Sequence, residues 1–311
     1  MNSVLLYFNE KYEGDFGKIY NALERKEKIN KTEIIKDWTK GYDYISLTSS
    51  EYCHPLKYAK EPPFLLFTQG DKNLLNYFER GISIEGSDYI RQDGYEHVEN
   101  IVTECKRQQL IPYISPNSTF SKFLAETLAV NRVPYVLVLE NGIEDYKLQP
   151  DNLIAKTVDC GGIVVSHALN MKNRPILSRS QQADEFKATM TTGLLALPFD
   201  KTEKLKFIKK ATTYASNMTP VFTYRSKNEK TIDLSEYREV AVINKIYDLC
   251  SKLGLSYNSQ EIQFLVKDAQ KLATKYYNFF KTTREKELEL KSKINKELES
   301  HITKDFNFNN E

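Results

Sequence analysis

The chain has 311 residues, 41% of them apolar, which is enough to build a substantial core in one large domain with appendages or in two modest ones. Its 44 lysines and arginines face 42 acids, so the net charge of +2 excludes a uniformly basic binder, and any polyanion site must be a local patch. The four cysteines, Cys53, Cys105, Cys160 and Cys250, contain no C-x-x-C pair and predict neither a zinc site nor a disulfide framework. The start lacks a basic stretch ahead of a long apolar run, and no window approaches the roughly eighteen apolar residues of a membrane span, so a cytoplasmic protein without membrane contact is expected.

Apolar positions at Leu5, Leu6, Phe8, Ile19, Ala22, Leu23, Ile34 and Ile35, interrupted by Gly14 and Gly17, predict two or three short helices in a helical N-terminal region over 1–43. Strand-like runs follow at 44–47 and 64–67, and the Pro62-Pro63 pair between them excludes a crossing helix. From there short apolar runs alternate with helical stretches. Strands are expected at 82–86, 110–114, 133–139, 162–166, 192–197 and 220–224, and helices at about 95–108, 119–131, 153–158, 179–188 and 201–216. Strands that are apolar on both faces and alternate with helices predict an α/β fold: a Rossmann-like, doubly wound, mostly parallel sheet over 44–226. After the polar SKNEKT linker, a helical C-terminal extension is expected over 227–311. One helix is predicted from about Leu234 to Leu253, and another starts near Ser259 and reaches toward Ile302.

Three segments carry a family signature: YCHPLK at 52–57, PPFLLFTQGD at 62–71 and ISIEGSD at 82–88. They resemble, in order, the Tyr-Pro-x-x-Leu-Lys, Pro-Pro-x-x-Leu-(Phe/Tyr)-x-x-Gly and strand-Gly-Ser-Arg motifs of the DprA/Smf DNA-processing family. Pro62, Pro63, Leu66, Phe67 and Gly70 fall in register, which makes the middle motif the specific one. The chain departs from the family pattern further on. Asp88 stands where the family has arginine, and Pro116, Phe120, Lys122 and Glu126 replace the two glycines, aspartate and histidine of the next block, which keeps Ser115, Ala125 and Ala129. In the third block Gly162, Ser166 and Arg179 remain while His167 and Gln181 replace a Glu and an Arg. The likeness spans about 1–225.

The resemblance implies single-stranded DNA binding and loading of a RecA-type recombinase during DNA uptake and recombination, with no chemical step, no cofactor and no metal. A homodimer is compatible with it. A Gly-Ser turn closing a strand offers backbone N–H groups and a hydroxyl to a phosphate, so Gly86 and Ser87 are expected to shape a pocket. Arg91, Arg179, Lys206, Lys209 and Lys210 are the expected phosphate contacts. The last three lie in a stretch, 200–230, with eight basic residues and three acids, where they are read as the face of a helix opposite Leu205, Ile208 and Thr212. A merely solvated helix face is the other reading. Tyr89, Tyr113, Tyr135 and Tyr146 are candidate stacking surfaces or ordinary core residues. Two alternatives remain open: a degenerate paralogue working as a scaffold through its C-terminal helices, and a nucleotide phosphoribohydrolase-like enzyme, for which the Pro-Gly-Gly-x-Gly-Thr loop is missing.

Overall fold

The computed structural model of the chain describes residues 2–30, 41–88, 92–224, 231–234, 237 and 240–253, with backbone alone at 92–96, 247 and 250. Two short helices, α1 (Asn2–Tyr12) and α2 (Phe16–Glu24), open the chain. Asp15 caps α2 by accepting the Lys18 N–H at 3.0 Å, and Tyr7, Phe8, Ile19 and Ala22 form a small core between the two helices. Strand β1 (Asp43–Ser46) pairs antiparallel with β2 (Leu65–Gly70).

The PPFLLFTQGD element has a structural explanation. Tyr52 donates its hydroxyl to the Pro63 carbonyl at 2.9 Å, while Leu66 and Phe67 alternate onto the two faces of the sheet. Gly70, at φ +112°, lies where a Cβ would come within 2.3 Å of the Gly162 oxygen, so only glycine fits where β2 meets the next strand. Asp71 then caps a 3-10 segment, Lys72–Arg80, which buries Leu75.

A regular alternation follows: β3 (Gly81–Glu85), α3 (Gln92–Gln108), β4 (Ile111–Ile114), α4 (Thr119–Val130), β5 (Val136–Val138), α5 (Ile143–Lys147), α6 (Leu153–Asp159), β6 (Ile163–Ser166), α7 (Ile176–Met190), β7 (Gly193–Ala196), α8 (Lys204–Ser216) and β8 (Val221–Tyr224). Every strand and helix expected between 82 and 224 is present. Among the described residues nine strands, the last being β9 (Val240–Ile243), form one sheet in the order β1-β2-β6-β5-β4-β3-β7-β8-β9, parallel from β6 through β9 and antiparallel at β1 and β2. Helices cover both faces. Leu124, Leu128, Val98 and Ile101 pack on one face, and Phe186, Met190, Phe207 and Tyr214 on the other.

The C-terminal reading needs a correction. In place of one helix from about Leu234 to Leu253, Val240–Ile243 form strand β9, parallel to β8, and only Ile246–Lys252 is helical (α9). Four consecutive aliphatic residues, three of them β-branched, pack better on a pleated edge than along a helix. The helix expected from Ser259 lies outside the described residues, as do residues 31–40 of the N-terminal region.

Candidate nucleic-acid interface

The parallel sheet reverses its order at β3. The chain runs outward through β4, β5 and β6 and then returns through α7 to place β7 on the other side of β3. The crevice beyond the carboxyl ends of β3 and β7 is therefore the topological switch point, where an open α/β sheet places its ligands. Because α7 and α8 follow the parallel strands β6 and β7, both begin at this same edge.

Strand alternation decides what β3 delivers there. Ile82 and Ile84 face α3 and α4, so Ser83 and Glu85 face α7 and α8. Glu85 is buried and ion-paired with Lys187 and with Lys210, the latter at 3.3 Å. Asp184 completes a quartet, 3.1 Å from Lys187 and 2.8 Å from Lys210. Burial alone would lower both lysine pKa values and raise that of Asp184. The mutual attraction outweighs it, holding the lysines above and Asp184 below their ordinary ranges. Two cations and two anions cancel, so this part of the crevice carries a fixed neutral network.

The Gly86-Ser87 turn beyond β3 is occupied by the chain itself. A Cβ on Gly86 would come within 2.4 Å of the Phe120 ring, so this glycine allows the close approach of α4. On the other side the Ser87 hydroxyl donates to Glu203 Oε2, and the Asp88 N–H donates to Glu203 Oε1 at 3.0 Å. Glu203 closes a capping box with Asp200 in a 3-10 turn, Lys201–Glu203, that runs into α8. Lys206 Nζ lies 2.6 Å from Asp88 Oδ1 and 3.6 Å from Glu203 Oε1.

The rest of the edge is polar. Ser118 caps α4 by accepting the Ser121 N–H at 3.0 Å. Glu140, beyond β5, accepts from Asn117 Nδ2 at 2.5 Å and from the Ser180 hydroxyl at 3.3 Å, and burial raises its pKa despite the opposing pull of Lys187 and Lys210. Arg179, in the first turn of α7, donates to the Asn141 side chain, while its Nε and the Ser115 hydroxyl are buried without a hydrogen-bond partner. The N-terminal helices lean on the same edge: Asn9 Nδ2 donates to the His167 carbonyl at 2.9 Å, and Gln182 Nε2 donates to the Gly14 carbonyl at 3.0 Å. Burial, with Arg174 adding repulsion, pushes the His167 imidazole down to about 3, so it is a neutral core group.

Of the candidate phosphate contacts, Arg179, Lys206 and Lys209 lie on α7 or α8 outside the core, and Lys209 is exposed. Lys210 requires correction. The buried stripe of α8 runs Phe207, Lys210, Tyr214, spaced three and four residues apart, which places Lys210 inside the ion quartet. Leu205, expected on the apolar face, is 82% exposed. Lys206 is already paired with Asp88, and Gly86 and Ser87 turn toward Phe120 and Glu203. Arg91 and Tyr89 lie outside the described residues. Tyr113, Tyr135 and Tyr146 are buried, so they are core residues and not stacking surfaces. The lysines at the start of α8, Lys201 and Lys204, are exposed and were not singled out from sequence, although their place just past the Asp200 cap marks them as rim residues. Among the described residues no helix is long and apolar enough to cross a membrane.

Comparison with known proteins agrees with the motif reading. Residues 43–179, a little under half of the chain, match the model of DNA recombination-mediator protein A. Among curated proteins no relative matches by sequence. Among solved structures, DNA processing protein A from Streptococcus pneumoniae superposes with a TM-score of 0.61 at 16% identity, covering 81% of this chain and 93% of that one. DNA processing protein A from Helicobacter pylori superposes with a TM-score of 0.56 at 14% identity, covering 73% of this chain and 97% of that one. Through its segment 43–179 the chain is similar to the DNA recombination-mediator protein A family, and its fold is that of the two DNA processing protein A structures, with a Gly-Ser turn filled by its own side chains.

Proposed function

We propose that this protein is a DNA-processing protein that binds single-stranded DNA along the carboxyl edge of its sheet, by phosphate contacts and without a chemical step. The observation that carries the reading is topological: α7 and α8 start at one edge, so Arg179 in the first turn of α7 and the exposed Lys201 and Lys204 at the start of α8 lie toward that edge of a protein whose net charge is only +2. The H. pylori protein of the same fold has a single-stranded DNA binding mode, which supports the choice of ligand. Loading of a RecA-type recombinase, a role in recombination and DNA uptake, and a homodimeric state belong to the same proposal and rest on the family likeness.

The test is fluorescence anisotropy of labelled oligo(dT) with the full chain across a salt series. The expected result is a Kd of about 1 μM or tighter, rising steeply with salt, and weakened by Arg179→Ala. A chain that leaves the oligonucleotide unbound at low salt would overturn the proposal.

A further inference from the structure

We infer that the turn after β3 is an anion cradle plugged by the chain's own Glu203, so that a phosphate enters only by displacing this carboxylate. The inference deepens the proposed function and rests on it only in taking a DNA phosphate as the natural competitor.

The cradle is defined by what surrounds the carboxylate. The Ser87 hydroxyl and the Asp200 N–H, the latter at 3.4 Å, donate to Oε2, while the Asp88 N–H, at 3.0 Å, and the Lys206 ammonium, at 3.6 Å, approach Oε1. Two backbone N–H groups, one hydroxyl and one ammonium, drawn from the β3 turn and from the start of α8, therefore converge on a single pair of oxygens. All are donors, and all sit at the switch point where an α/β sheet presents donors to an external anion. Glu203 is only 9% exposed, so its charge is held by these partners and not by solvent.

The geometry also accounts for Asp88. A carboxylate beside a phosphate turn would repel a ligand, yet here it holds Lys206 at 2.6 Å, on the rim of the plugged site. Tethering gives Glu203 a high effective concentration against any single free phosphate. A nucleic-acid backbone already anchored along the α8 rim competes on more equal terms, because its next phosphate arrives as an intramolecular ligand too. The contact is thus a gate favouring extended polyanions over small ones.

The experiment uses the full chain as wild type, Glu203→Ala and Glu203→Gln, each variant also combined with Ser87→Ala. Thermal shift and calorimetric titration with inorganic phosphate are compared with chloride at matched ionic strength. Wild type is expected to show no phosphate-specific rise in Tm. Glu203→Ala gains phosphate affinity by about tenfold or more, and Ser87→Ala removes the gain. Glu203→Gln keeps the side-chain shape while discarding the charge, and it gains in the same direction, which keeps the test decisive if the alanine variant folds poorly. Folded Glu203 variants that bind phosphate no better than wild type overturn the inference, as does a wild type that already binds it equally well. Oligo(dT) measured alongside separates the two claims: if every variant ignores it, the DNA reading fails while the phosphate comparison still judges the plug.

Discussion

Replacing Lys210 with methionine distinguishes a buried structural lysine from a DNA-contacting one. The quartet holds Glu85 and Asp184 between Lys187 and Lys210, all four buried, with Lys210 Nζ at 2.8 Å from Asp184 and 3.3 Å from Glu85. Removing this ammonium leaves two buried carboxylates sharing Lys187. Breaking a buried ion pair by deleting one partner costs about 3–5 kcal/mol, because the remaining charge loses compensation and not merely a contact. Against a typical total of about 5–15 kcal/mol this is a large fraction of the stability. At roughly 2–4 °C per kcal/mol for a domain of this size, the Tm of Lys210→Met should fall by about 10 °C. Urea denaturation supplies the free energy. Adding Asp184→Leu restores a neutral Glu85–Lys187 pair, so the double variant should be more stable than Lys210→Met alone, whereas Lys209→Ala on the exposed side should stay within about 0.5 kcal/mol of wild type. A Lys210→Met protein within about 1 kcal/mol of wild type, or a double variant less stable than the single, would refute the reasoning.

Three further outcomes are expected. His167 is held neutral in the native state, with its pKa down at about 3, and regains its ordinary value of about 6.5 on unfolding. The unfolded chain therefore binds one more proton between these limits, and stability should fall by up to about 1.4 kcal/mol per pH unit as pH drops from about 6.5 toward 3; chemical denaturation across that range should lose this component in His167→Gln. Gly86→Ala forces a methyl to within 2.4 Å of the Phe120 ring and should cost about 1–3 kcal/mol; in a double-mutant cycle Phe120→Ala should relieve part of that cost, and strict additivity would contradict the close packing. Lys209→Ala should reduce the salt slope of oligo(dT) binding by about one while leaving Tm unchanged, and an unaltered slope would remove α8 from the interface.

The strands and helices between β2 and β8 were legible because each parallel strand is buried on both faces and reads as a continuous apolar run, as in LIPYI at 110–114 and GIVVS at 162–166. The pattern misled in two places, for different reasons. In β9 the run Val240–Ile243 sits among charged and polar residues, and its strand character depends on an open edge of β8 that no local window reveals. In α8 the phase was misread because Leu205 is exposed while Lys210 is buried, the reverse of what polarity suggests. A lysine is placed inside only when its counter-charges wait there, and these come from β3 and α7, far away in sequence.

The same logic explains why the family motif announced the fold more clearly than the binding site. Pro63, Leu66, Phe67 and Gly70 act through contacts with the segment just before β2, the neighbouring strand and the core, all of which belong to the fold itself. The Gly-Ser turn works through whatever meets it, and in this chain those partners are Phe120 from α4 and Glu203 from the start of α8, the latter 116 residues away. Replacing arginine by Asp88 would leave an unpaired carboxylate at the mouth of an anion pocket, and Lys206 supplies the charge that prevents this. With Lys206 engaged there and Lys187 and Lys210 neutralised by Glu85 and Asp184, these three lysines are committed to internal partners. On the proposed function, electrostatic attraction for a phosphate backbone is left to Arg179 and the exposed lysines of α8, and a phosphate would reach the Gly-Ser turn only where Glu203 yields its place.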